Sequence, residues 1–207
     1  LMFWYNSRQK FFCLLLSCLL FLAFVPPAYA LPQEKTVGKI ESVASFNGAM
    51  PTGVTLSQGG RIFVNFPRWG DKVDYTVAEV VKGKAVAYPN AQFNRFNQKD
   101  QSKSLVSVQS VVVDPLDRLW ILDTGSIQFG STSYGGPKLV GVDLKQNRIF
   151  KTILFPQDVA LKTTYLNDVR FDLRRGKAGM AFITDSSGNG ANAIIVVDLD
   201  SGKSWRR

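Results

Sequence analysis

The chain contains no histidine, which removes the commonest general base, the usual partner of a nucleophilic serine and the commonest metal ligand. Its two cysteines, Cys13 and Cys18, sit together in an N-terminal apolar run, so the rest of the chain forms neither a disulfide nor a zinc–thiolate site. What remains is oxygen and amide chemistry. It is concentrated at Thr52, Gln109-Ser110, Asn167-Asp168 with Asp172 beyond, Asp123-Thr124-Gly125 and Asp185-Ser186-Ser187. The oxygens of Asn167 and Asp168 suit calcium rather than a transition metal. An aspartate followed by Thr or Ser and a small residue caps a turn by accepting backbone N–H bonds, and Asp123 and Asp185 read that way. Gly188-x-Gly190-x-x-Ala193 has the spacing of a dinucleotide-binding turn, but it lies between two strand patterns and opens no helix to hold a pyrophosphate.

The elements that must position these groups are strands. From Leu31 onward no window carries a helical period, and short apolar runs alternate with turn residues. The clearest unit is Val108 to Gly125, two strands bent at Asp114-Pro115-Leu116-Asp117. The unit recurs: Val54, Val111 and Val169 align, each followed by a second strand carrying Phe63, Trp120 or Phe182. A second hairpin interleaves with it, Gly141 to Arg148 matching Val196 to Lys203, with Ala78 to Lys84 as a weaker copy. Each period therefore holds four strands. That is an all-β reading, a β-propeller of four-stranded blades, with about three blades near residues 45–90, 105–155 and 163–207. Propellers close with about four to eight blades, so the chain reads as the N-terminal half of a larger one with sheet edges left open. Residues 90–104 read as a long surface connection, and Phe63, Trp69, Trp120 and Phe182 as strand-centre residues packed between blades.

In a propeller the innermost strand of each blade starts at the mouth of the central channel. Thr52, Gln109, Ser110, Asn167 and Asp168 occupy that position and converge on one point. Two readings follow. Either these groups satisfy one another and channel water, or they bind a small ligand, with Asn167 and Asp168 as calcium ligands in the metal version.

Residues 1–30 have the layout of an export signal: Arg8 and Lys10, the apolar run Phe11 to Val25, then Ala28-Tyr29-Ala30 before a cleavage point at Leu31. That predicts a secreted protein, extracellular or periplasmic, with no stable membrane insertion after cleavage. The net charge is +9 without any basic block, so the basicity reads as a solvated surface open to an anionic partner, without a nucleic-acid motif. No Asn-x-Ser/Thr sequon occurs, which leans toward a bacterial source.

Several stretches in order resemble the yellow / major royal jelly protein family. They include Met50-Pro51-Thr52-Gly53-Val54, Arg118-Leu119-Trp120-Ile121-Leu122-Asp123-Thr124-Gly125, Tyr165-Leu166-Asn167-Asp168-Val169 and Ser201-Gly202-Lys203-Ser204-Trp205-Arg206. The resemblance implies a secreted propeller, six-bladed when complete, that binds a small aromatic or amine ligand at the channel mouth. The alternatives are an enzyme, either of the dopachrome-tautomerase type or a calcium-dependent gluconolactonase-like hydrolase, and a non-catalytic interaction scaffold. Disulfides usual in animal members are missing here, which points to a bacterial-type member. Asn167-Asp168-x-x-x-Asp172 is also similar to calcium-dependent gluconolactonase propellers, but those carry a metal-binding glutamate where this chain has Pro51-Thr52-Gly53.

Overall fold

A computed structural model describes residues 34–207; the apolar run read as an export signal lies outside them. The chain divides into compact units of residues 1–41 and 42–207. In the first, the described residues 34–41 form no strand or helix.

The second unit is built from twelve short strands in three sheets, each an antiparallel meander of four consecutive strands. The first sheet comprises β1 (Gly53–Leu56), β2 (Ile62–Asn65), β3 (Val77–Val81) and β4 (Lys84–Ala87). The second comprises β5 (Val108–Val113), β6 (Arg118–Asp123), β7 (Lys138–Asp143) and β8 (Arg148–Leu154). The third comprises β9 (Leu166–Asp172), β10 (Met180–Asp185), β11 (Ala193–Asp198) and β12 (Ser204–Arg206). Three four-stranded blades of a partial propeller is the architecture the repeat predicts.

The sheets stack face to face because side chains alternate along each strand. On β6, Leu119 and Ile121 enter a core shared with Phe63, Val77 and Tyr88 of the first sheet. Trp120 and Leu122 point the other way, into a core shared with Leu166, Val169 and Ile183 of the third. Trp120 stacks on Phe171 at 5.3 Å and meets Phe150 edge-on at 5.4 Å. The inner strands are also joined directly: Val113 N donates to Thr55 Oγ1 and Ser110 Oγ to Asp168 Oδ1, both at 2.9 Å and both 58 residues apart in sequence. Neighbouring blades are thus hydrogen-bonded through their innermost strands.

Turn chemistry follows the residue types. Asp114 Oδ1 accepts the N–H groups of Leu116 and Arg118, closing the bend that leads into β6. Asp117 and Asn147, two residues that tolerate the left-handed region, adopt φ of 58° and 51° at hairpin bends.

Two readings need correction. Residues 90–104 are not a plain surface connection: Ala91–Asn94 form a short helix, α1, capped by Asn90 Oδ1 on Phe93 N at 2.7 Å. Asn94 is buried, accepts the N–H groups of Thr76 and Val77 on one oxygen, and so terminates the open start of β3. One helical turn is too short to produce a readable period. Trp69 is not at a strand centre either. Pro67 has no N–H for the ladder, β2 ends at Asn65, and Phe66-Pro67-Arg68-Trp69 leaves the sheet as a loop.

Candidate functional site

The start of each inner strand is fixed by a polar residue at the end of the strand beside it. In the second sheet Asp123 Oδ2 accepts Val106 N at 2.7 Å, and Asp123 Oδ1 accepts Ser107 N at 2.9 Å and Gly125 N at 3.0 Å. In the third, Asp185 accepts Tyr165 N, Thr164 Oγ1 and Ser187 N. The turn bonds are those expected of an Asp-Thr-Gly or Asp-Ser-Ser stretch. Each carboxylate also holds a cation: Asp123 pairs with Lys138 Nζ at 2.8 Å, both side chains fully buried, and Asp185 with Arg206 Nη1 at 2.8 Å. In the first sheet the position is Asn65, whose Nδ2 donates to Thr52 Oγ1 and to Val108 O. Gly53 is required beside it, because a Cβ there would lie 2.3 Å from Asn65 Oδ1.

These staples bring the inner-strand starts together. Thr52, Gln109, Ser110, Asn167 and Asp168 all line one cavity of about 550 Å³, with Arg170 on its wall. Thr52 Oγ1 donates to Gln109 O at 3.2 Å. Asp168 is committed on both oxygens: Oδ1 accepts Ser110 Oγ and Val169 N, and Oδ2 pairs with Arg170 Nη1 at 2.7 Å. Among the described residues no group of three or more His, Cys, Asp or Glu side chains gathers around a common point.

Gln109 and Asn167 also line a second cavity, of about 470 Å³, beside the first. One wall of it is aromatic. Trp69 stacks on Phe129 at 5.5 Å, Phe129 packs on Tyr165 at 5.0 Å, and Trp69 Nε1 donates to Tyr165 Oη at 2.7 Å. Tyr165 in turn donates to Gln109 Oε1 at 2.8 Å. Burial holds the Tyr165 phenol above its ordinary pKa, against the opposing effect of the Trp69 bond, so at neutral pH it is a hydrogen-bond donor and not a base. Phe129 is 62% exposed and held there by a turn in which Gln128 and Phe129 adopt φ of 50° and 58°. Such a backbone is costly for a bulky residue and is maintained by Gln128 N on Arg68 O and Gly130 N on Ile127 O, both at 2.9 Å. Among the lining residues Lys162 carries the only charge.

The five residues expected at the inner-strand starts share one cavity, whereas the aromatic wall was not among the expected binding residues. Tyr165 stands two residues before Asn167 at the entry to β9, so its position was within reach of the same alignment. Phe129 was not, because nothing in Ile127-Gln128-Phe129-Gly130 signals two consecutive left-handed residues.

The fold is part of a β-propeller, and in it a polar cavity at the inner-strand starts adjoins an aromatic-walled recess. The family model for major royal jelly protein matches residues 106–207. Yellow-related salivary protein LJM17 of Lutzomyia longipalpis is 27% identical over 220 residues, covering 96% of this chain and 52% of that protein. Yellow-related salivary protein LJM11 of the same species is 31% identical over 72% of this chain and 40% of its own length. L-dopachrome tautomerase yellow-f of Drosophila melanogaster is 29% identical over 78% of this chain and 40% of its own. The chain belongs to the yellow / major royal jelly protein family. It spans about half or less of the length of these relatives. Among solved structures, the extracellular domain of a putative one-component system from B. thetaiotaomicron aligns with 79% of this chain and 25% of its own at 12% identity, with a TM-score of 0.34. The fold assignment rests on the sheet order and not on that alignment. No helix among the described residues is long and apolar enough to cross a membrane.

Proposed function

We propose that this chain forms part of a secreted propeller that binds a small hydroxylated aromatic molecule at the channel mouth. One observation carries the reading: Gln109 and Asn167 line both the polar cavity and the aromatic-walled recess. A planar ring would stack against Phe129 and Trp69 while its oxygens reach the two amides. Aromatic stacking contributes about 0.5–1.5 kcal/mol beyond burial, and the amides supply direction. No carboxylate lines the recess, so phenolic or catechol oxygens suit it better than an ammonium group. Calorimetric titration with catechols and with biogenic amines tests this. Catechols should give saturable heat, amines a weaker signal, and Gln109→Ala should weaken catechol binding about tenfold, equivalent to about 1.4 kcal/mol. Absence of heat with every compound would remove the reading.

Catalysis is the second reading, favoured by the similarity to L-dopachrome tautomerase yellow-f. With no histidine in the chain and Tyr165 held protonated, the titratable groups left at the two cavities for proton transfer are Asp168, Arg170 and Lys162. Calcium at Asn167 and Asp168 is the less supported form of the site, since the ion would have to displace Arg170 from Asp168. A pure scaffold, or an anionic partner on the basic surface, would leave the titrations flat.

A further inference from the structure

Besides its aromatic wall, the recess is lined by Lys162, Thr163, Ser186, Ser187 and Asn189. The turn at 161–164, which leads into β9, is closed by Leu161 N on Thr164 Oγ1 and Thr164 N on Leu161 O, both at 2.9 Å. Thr132 ties this turn to the loop that carries Phe129: its N–H donates to Lys162 O and its hydroxyl to Leu161 O, both at 2.9 Å. The turn after β10 packs onto it through Gly190, where a Cβ would lie 2.2 Å from Thr163 Oγ1. Lys162 is therefore carried on a stem fixed by two loops that themselves line the recess.

Among the described residues Lys162 enters no salt bridge. The carboxylates of the adjoining strands are committed to other cations, Asp168 to Arg170 and Asp185 to Arg206. Ser187 adds a second donor. It is 6% exposed, and its Oγ accepts Asn189 N at 3.3 Å, so the oxygen is used while its proton has no acceptor among the described residues. An ammonium without a carboxylate and a buried hydroxyl with a free proton both donate, and an oxyanion accepts from both. We propose that the ring bound in the recess carries an oxyanion substituent, a carboxylate or a sulfate ester, received by Lys162 and Ser187. Lys162 is then the residue that selects aromatic acids over neutral phenols and over amines. The inference rests on the recess binding a hydroxylated ring and goes further in naming the second group on that ring.

The test is calorimetric titration of the full chain at low ionic strength with two matched pairs: 3,4-dihydroxyphenylacetate against its methyl ester, and catechol monosulfate against catechol. The anion of at least one pair should bind about three- to tenfold tighter than its neutral partner. Which pair does so distinguishes a carboxylic acid from a sulfate conjugate. Lys162→Met should bring that ratio close to one, Lys162→Arg should retain it, and salt at about 0.5 M should narrow it. Equal affinity for anion and neutral partner in both pairs would overturn the inference and leave the aromatic site standing. A preference for the anion that survives Lys162→Met would overturn it as well. Absence of heat with all four compounds would remove both readings, because the ring itself would then not bind.

Discussion

At the scale of single residues, the determining contact is the buried pair of Asp123 and Lys138. The Lys138 ammonium is enclosed by that carboxylate and by the carbonyls of Gln101, Gly135 and Gly136, and neither side chain reaches solvent. Removing one partner leaves an uncompensated buried charge, which costs about 3–5 kcal/mol. Asp123→Asn should therefore lower stability by about that amount in urea unfolding, and Asp123→Asn with Lys138→Met should recover much of the loss; strict additivity of the two changes would contradict a coupled pair. The turn role of Asp123 is legible in Asp-Thr-Gly. The ion pair is not, because Lys138 lies in the next strand, and only the register of β6 with β7 sets the two side by side. Asn65 shows the same logic reversed: Val77 stands opposite it, and the position carries no charge.

At the scale of elements, hairpin bends carry the acid-labile chemistry. In the bend between β9 and β10, Asp172 accepts Arg174 N and pairs with the guanidinium groups of Arg174 and Arg175. The Arg174 contacts, first among the causes, hold the Asp172 carboxyl well below the usual carboxylate range. A depressed value means the unfolded chain binds the proton first. The contribution is fully present above the ordinary carboxylate pKa of about 4 and is lost as pH falls through the lower folded value. In an NMR titration, the Arg174 amide should shift with a midpoint clearly below that of a free aspartate, and Asp172→Asn should abolish the shift; a midpoint near 4 would show that the pairing is absent in solution. The hairpins themselves were readable because Val54, Val111 and Val169 recur with the turn residues between strands. The helix α1 and the Phe129 turn were not, since one is shorter than a helical period and the other has no glycine where its backbone is left-handed.

At the scale of the whole molecule, coverage of sheet faces should order the local stabilities. The second sheet is packed on both faces, the first and third on one each by a neighbouring sheet. Amides of β6 and β7 should therefore exchange most slowly, and those of β1 and β4 at least about tenfold faster, a difference of about 1.4 kcal/mol or more in opening free energy. Equal protection in all three sheets of a monomer would contradict this order.

Among the described residues each sheet is a meander of consecutive strands, and no strand is lent from one sheet to another. During synthesis the hydrogen-bond ladders can thus be completed one sheet at a time, in the order in which they leave the ribosome, from contacts close in sequence. The pairing of faces always lags one sheet behind. Until Leu119 and Ile121 emerge, Phe63 has no socket; until Val169 and Ile183 emerge, neither does Trp120. At every stage, the nascent molecule presents one finished sheet with an apolar face awaiting the next. That moving face is where a chaperone would be needed.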